Sequence, residues 1–116
     1  MARIKIWNRV PDNSKLHVRV DGGTGTAQGM LTVSDGGNRD IDDAALRAGA
    51  PPIPLRTPKL YSLTLILTFA AASTMTVRSH VELPGGNHHG SDFEEPVTGA
   101  AGDVKTVAIG VITRQT

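Results

Sequence analysis

The sequence predicts an all-β fold: a small antiparallel β-sandwich of about six or seven strands, formed by a single domain over 1–116. Apolar and polar residues alternate with a period of two in most segments between turns. Turn-forming residues separate these segments, since the chain holds 13 glycines and 7 prolines. Helix signals occur in one short stretch only, near 40–48. The expected architecture is immunoglobulin-like, although the chain has no cysteine and so lacks the Cys–Trp–Cys signature of true immunoglobulin domains.

The first two alternating segments predict a β-hairpin. RIKIWNRV (3–10) and KLHVRVD (15–21) are joined by a short turn that contains proline, aspartate and asparagine. Two alternating runs with such a connection are typical of paired antiparallel strands. Ile4 and Ile6 then face the core, and Trp7 lies on the exposed side.

The middle of the chain alternates between short strands and turns. A glycine-rich loop (21–29) precedes a short strand (29–35). The helix near 40–48 has acidic residues at its start, and Pro51 and Pro52 prevent its continuation. The proline-rich segment 53–58 is expected to be an edge strand, because proline cannot donate to a central ladder.

The second half of the chain contains the strongest strand pattern. KLYSLTLILTF (59–69) alternates over its whole length and is expected to lie centrally in a sheet. TMTVRSHVEL (74–83) and VKTVAIGVIT (104–113) alternate in the same way. In the last of these strands Ala108 and Gly110 make the outer side thin, which suits either close backbone packing or an oligomer contact.

Composition excludes several classes of site. Without cysteine there is no disulfide, no thiolate metal site and no cysteine nucleophile. The glycine-rich loop lacks the P-loop lysine, and no GxSxG motif places a nucleophilic serine. The longest apolar run is too short to span a bilayer, and no signal peptide is recognisable. We expect a soluble, non-enzymatic protein whose compartment the sequence leaves open.

The predicted hairpin carries the first candidate site. Its exposed face would hold five basic or imidazole side chains around the only tryptophan. Cations attract phosphate, sulfate and carboxylate, and an indole stacks on a sugar or a base. This face therefore predicts recognition of an anionic or glycan-like ligand, such as a polyanion. The candidate ligand-binding residues are Arg3, Lys5, Trp7, Arg9, His17 and Arg19.

The loop PGGNHHGSDFEEP (84–96) carries the second candidate site. Imidazole and carboxylate groups are suitable ligands for a divalent metal, so His88, His89 and Asp92 predict a metal-binding protein or enzyme that uses the 87–95 loop. Adjacent histidines on an extended chain point to opposite sides, so both can bind one metal only if the glycines fold the loop sharply. Otherwise the expected ligands are His88 or His89 together with Asp92. The whole 84–103 connection is long, and such connections are more often functional or disordered than inert.

A third hypothesis is a structural or surface protein that self-assembles. Its contacts would be an exposed sheet edge or the thin face at Ala108 and Gly110. The partners expected across the three hypotheses are an anionic glycan, another protein, or further copies of this chain. No cofactor is expected apart from a divalent metal in the second hypothesis.

Overall fold

The computed structural model describes residues 3–49 and 51–114 and confirms the all-β sandwich. It contains nine strands in this part of the chain, more than predicted, and one short helix. The elements are β1 (Arg3–Val10), β2 (Ser14–Asp21), β3 (Gly25–Val33), β4 (Asn38–Ile41), α1 (Asp43–Ala48), β5 (Ile53–Leu55), β6 (Leu60–Phe69), β7 (Ser73–Glu82), β8 (Phe93–Gly99) and β9 (Val104–Thr113).

The strands form two sheets. One is five-stranded with the order β1-β9-β6-β3-β4, and the other is four-stranded with the order β5-β2-β7-β8. Among the described strands β1 pairs with β9 in parallel, and the other pairs are antiparallel. The predicted edge strand within 53–58 is confirmed as the three-residue β5, which pairs with β2.

The core lies between the two sheets. Period-two alternation turns one side of each strand inward, and β6 buries every second residue, as predicted. Strand β7 does the same with Met75, Val77 and Val81, while Arg78 and His80 lie on its outer side. The buried residues of β6 are Tyr61, Leu63, Leu65, Leu67 and Phe69.

The predicted hairpin of the first two strands is wrong. β1 lies in the five-stranded sheet and β2 in the four-stranded sheet, so the chain crosses between layers at the turn. A short turn with proline and asparagine is compatible with a hairpin and also with a crossing between the two sheets. Each strand alternates in the same way in these two arrangements. The pairing partners that decide the matter, β9 for β1 and β7 for β2, are distant in sequence.

The predicted orientation of β1 is also wrong. Ile4 and Ile6 are 62% and 51% exposed, whereas Trp7 is 3% exposed and belongs to the core. The register of β1 against β9 shifts between Trp7 and Val10, and Arg9 has a positive φ of 53°. This β-bulge lets Trp7 and Val10 both face inward although they are three residues apart. The strand therefore buries its indole rather than its isoleucines.

The helix is confirmed as α1. Asp42 caps its first turn by accepting a hydrogen bond from the Ala45 amide at 2.8 Å, and Gly49 ends it in the left-handed conformation. No helix in residues 3–49 and 51–114 is long and apolar enough to cross a membrane.

The long 84–103 connection is partly ordered into a strand, which the sequence did not predict. β8 turns Phe93, Glu95 and Val97 toward the interior side and pairs with β7 at the sheet edge. Two adjacent glutamates and Pro96 interrupt the apolar–polar alternation in the sequence of β8, so the pattern does not indicate a strand. A proline is nevertheless compatible with an edge strand. The true loop is therefore shorter, from 83 to 92.

The burial of the only tryptophan can be tested by fluorescence. Because Trp7 lies in the core, we expect its emission to be blue-shifted relative to the urea-unfolded chain and weakly quenched by acrylamide. Quenching as efficient as for free tryptophan would contradict this placement and would instead put Trp7 on the exposed face of β1.

Candidate functional site

The outer face of the four-stranded sheet concentrates the polar side chains that carry chemistry. In the antiparallel register of β2 and β7, His17 lies opposite His80 and Arg19 lies opposite Arg78. Directly opposed residues share one face of a sheet and have neighbouring Cβ atoms. Glu82 lies two residues beyond His80, and this spacing returns it to the same face.

Three of the four histidines form a stack on this face. The ring centroids of His17 and His80 are 4.4 Å apart with an interplanar angle of 10°. Those of His80 and His88 are 4.1 Å apart at 11°. His80 is thus enclosed between an imidazole from a neighbouring strand and one from the 83–92 loop. We call His17, His80, His88, Glu82 and Asp92 the histidine cluster.

A carboxylate holds each outer ring of the histidine cluster. His17 Nε2 is 2.7 Å from Glu82 Oε1, and His88 Nδ1 is 2.8 Å from Asp92 Oδ1. A carboxylate on one ring nitrogen fixes the orientation of an imidazole and the position of its other nitrogen. Two of the predicted metal ligands, His88 and Asp92, therefore form a hydrogen-bonded pair.

The 83–92 loop is fastened to both sheets. His89 donates an amide hydrogen bond to the Val81 carbonyl at 2.8 Å, and its ring nitrogen Nε2 lies 2.7 Å from the Asn8 carbonyl oxygen. Trp7 donates from its indole nitrogen to the Ser91 carbonyl at 3.2 Å. The two adjacent histidines diverge as expected, because His88 joins the stack while His89 reaches β1.

Within residues 3–49 and 51–114, one set of donor groups is close enough to share a metal ion. Single ligand atoms of His17, His80 and Glu82 all lie within 4.8 Å of one another. All three side chains are partly buried. This set shares no residue with the predicted metal ligands His88, His89 and Asp92, although the first and last of those belong to the same histidine cluster.

The environment favours neutral imidazole at the centre of the stack. Burial of the ring lowers the pKa of His80 below its ordinary 6.5, and the neighbouring His17 and His88 lower it further. The hydrogen bond from His17 lowers the pKa of the Glu82 carboxyl below its ordinary 4.5. A neutral imidazole and an ionised carboxylate are the forms that bind metal.

A groove of about 360 Å³ adjoins the stack. Its walls come from the C-terminal end of α1, at Ala48 and Gly49, and from the two cross-strand pairs of β2 and β7. Asp21 accepts from the Nε atoms of both Arg19 and Arg78, at 2.7 and 3.0 Å, and so holds the two guanidinium groups together. Arg78 also pairs with Glu94.

The six predicted ligand-binding residues do not share one face. Arg3 forms an ion pair with Glu95 of β8 at 3.1 Å, across the open side of the sandwich. Lys5 lies over the Trp7 ring, 5.2 Å from its centroid. Arg9 is exposed at the bulge of β1. Of the six, His17 and Arg19 lie together on the outer face of β2.

No motif in the sequence marks Arg78, His80 or Glu82 as a site residue. Their alternation in 74–83 places them correctly on the outer side of a strand. The missing fact was that β7 pairs with β2, because this pairing alone brings them beside His17 and Arg19.

Comparisons with protein-family models, curated proteins and solved structures found no match to this chain.

Acid should destabilise the metal-free protein through the histidine cluster. The folded state lowers the pKa of His80, so its contribution to stability is present above pH 6.5 and is lost as the pH falls below that value. The groups that face its ring are His17 on β2, His88 and Asp92 on the loop, and Glu82 on its own strand. Glu82 contributes in the same direction at lower pH, below 4.5.

Urea unfolding followed from about pH 8 down to about pH 5 checks this, and uptake of at most about one proton is expected on unfolding. His80→Gln should flatten the pH dependence, and the control His89→Gln should retain it. An unchanged slope in His80→Gln would show that the stack does not oppose protonation.

Proposed function

We propose that this domain binds a divalent transition-metal ion through His17, His80 and Glu82. The observation that carries the proposal is the convergence of two imidazoles and a carboxylate within 4.8 Å on paired strands. A cross-strand histidine pair with a carboxylate two residues along is a compact way to aim three donors at one point.

The chemistry of the donors favours zinc or a similar ion. Imidazole is a good ligand for zinc, copper and nickel, whereas magnesium and calcium prefer all-oxygen sites. Two histidines and one glutamate are also the ligand set of zinc sites that keep a fourth position for water or substrate. The adjoining groove gives a ligand of that kind a place to approach.

Binding requires only side-chain adjustment. Metal–nitrogen distances of about 2.0–2.1 Å place tetrahedral donors about 3.3 Å apart. The donors of the proposed site therefore close by about 1.5 Å at most. Glu82 exchanges its hydrogen bond with His17 for the ion. The backbone of β2 and β7 stays fixed, because inward residues of both strands are buried in the core.

His88 completes the surroundings of the ion. Its ring covers His80 and is held by Asp92 at Nδ1, which leaves Nε2 as the nitrogen for a further ligand or a bound water. The 83–92 loop thus supplies a side chain beside the metal rather than the metal site itself.

Calorimetric titration with zinc chloride tests the proposal. We expect one ion per chain, and His80→Ala should weaken binding at least about tenfold, as loss of a direct ligand exceeds typical effects of outer-shell changes. Glu82→Gln keeps the shape of the side chain and should also weaken binding. His89→Gln is the matched control, since His89 bonds to the Asn8 carbonyl outside the cluster. Equal losses in His89→Gln and His80→Ala would contradict the assignment.

We propose anion binding in the groove as a second candidate function. Arg19 and Arg78 line it together with His17 and His80, and one shared carboxylate, Asp21, holds both guanidinium groups at Nε. Among the described residues Asp21 is the one ion-pair partner of Arg19, which leaves its terminal nitrogens for an anionic ligand. The ligand class is the anionic or glycan-like one expected for the predicted hairpin, of whose six candidate residues His17 and Arg19 line the groove.

Heparin chromatography at low salt separates the two placements. Arg19→Gln should elute at lower salt than the parent protein, because a guanidinium in the groove is lost. Arg9→Gln removes the same charge at the remote bulge of β1 and should elute with the parent. Equal shifts in the elution of both variants would mean that heparin binding depends on net charge only. Such a result would contradict anion binding in the groove.

A further inference from the structure

The outer face of the five-stranded sheet differs from the rest of the surface. Over β3, β6, β9 and the first part of β1 (3–7) the outward residues of the described chain include no charged side chain, and charged residues border this area at Arg9 of the β1 bulge and at Asp40 of β4, opposite Met30. The outer face of the four-stranded sheet, by contrast, carries arginines, histidines and carboxylates on adjacent strands. The outward residues of the uncharged face are Ile4, Ile6, Thr26, Gln28, Met30, Thr32, Leu60, Ser62, Thr64, Ile66, Thr68, Val104, Thr106, Ala108, Gly110 and Ile112.

This uncharged face is apolar at its margins and flat at its centre. Ile4 and Ile6 on β1 are 62% and 51% exposed, and Met30 on β3 is 52% exposed. Between them Ala108 and Gly110 project little or no side chain. A Cβ placed on Gly110 would lie 3.6 Å from Ile6 Cγ1, which confirms that both residues are on this side of the sheet. Small residues at the centre allow another sheet to approach to about 10 Å.

We propose that a second copy of this chain packs on this face, sheet against sheet, in a two-fold symmetric dimer. Such an interface is isologous, so the same patch must complement itself. An uncharged patch does so without burying unpaired charge. A partner with a charged surface would lose the hydration of its charges here and find no opposite charge within this uncharged area.

The size of the face is consistent with a reversible dimer. Four strands at ~4.8 Å spacing and about nine residues long at ~3.3 Å each cover about 570 Å² per copy. Two copies therefore hide about 1,100 Å², which is just below the roughly 1,200 Å² at which stable interfaces begin and falls among weak, transient ones. The dimer should accordingly dissociate on dilution rather than persist at all concentrations.

Sedimentation velocity over a concentration series tests the proposal, with a chelator present so that no metal bridges the copies. We expect a monomer–dimer equilibrium in the parent protein. Ile6→Glu places a charge within the contact, next to Gly110, and should raise the dissociation constant at least tenfold. Ile4→Glu is a second, more exposed variant that should do the same. Thr98→Glu, on the outer face of the other sheet, is the control and should leave the constant unchanged.

Circular dichroism and Trp7 fluorescence verify that each variant folds. A parent protein that remains a strict monomer at millimolar concentration would overturn the proposal, whatever the variants do. A dimer that persists in both Ile4→Glu and Ile6→Glu would overturn it as well, because the contact would then lie on an edge or on the other face.

Discussion

The antiparallel register of β2 against β7 is the constraint on which the candidate site depends. A shift of one residue would turn His17 and His80 inward and their buried neighbours outward. The core prevents this, because Val18 and Val20 of β2 are buried beneath the sheet. Ser79 also stabilises this register, because its buried hydroxyl donates a hydrogen bond to the His17 carbonyl at 2.6 Å. The packing of the sandwich thus sets the geometry of the donor groups outside it.

The bulge in β1 links the fold to the loop beside the site. It turns Trp7 into the sandwich, where the indole packs against the core and donates to the Ser91 carbonyl. Gly90 fits against this ring, since a Cβ there would lie 3.4 Å from Trp7 Cδ1. Because these contacts hold the loop in place, the His88 ring stacks on the His80 ring. The same reversal exposes Ile4 and Ile6, so one backbone irregularity shapes both the polar cluster and the uncharged face.

Local patterns were sufficient for the fold class and for most strands. Alternation identified β6, β7 and β9 and their inward sides, and the proline pair and acidic start located α1. The orientation of β1 was not predictable from alternation, because a bulge changes the face in mid-strand. The histidine cluster was not predictable either. His17 on β2 is more than sixty residues from the other members, which lie on β7 and the loop directly after it, and only non-local strand pairing brings it to them.

Zinc-dependent changes at the imidazole nitrogens test the central claim most directly. Long-range proton–nitrogen NMR spectra resolve the ring nitrogens of all four histidines in one experiment. On addition of one equivalent of zinc, one ring nitrogen each of His17 and His80 should shift strongly upon coordination, while His89 should stay at its metal-free position. Zinc shifts confined to His88 and His89, or no shift at any ring, would contradict a metal site formed by the β2–β7 register.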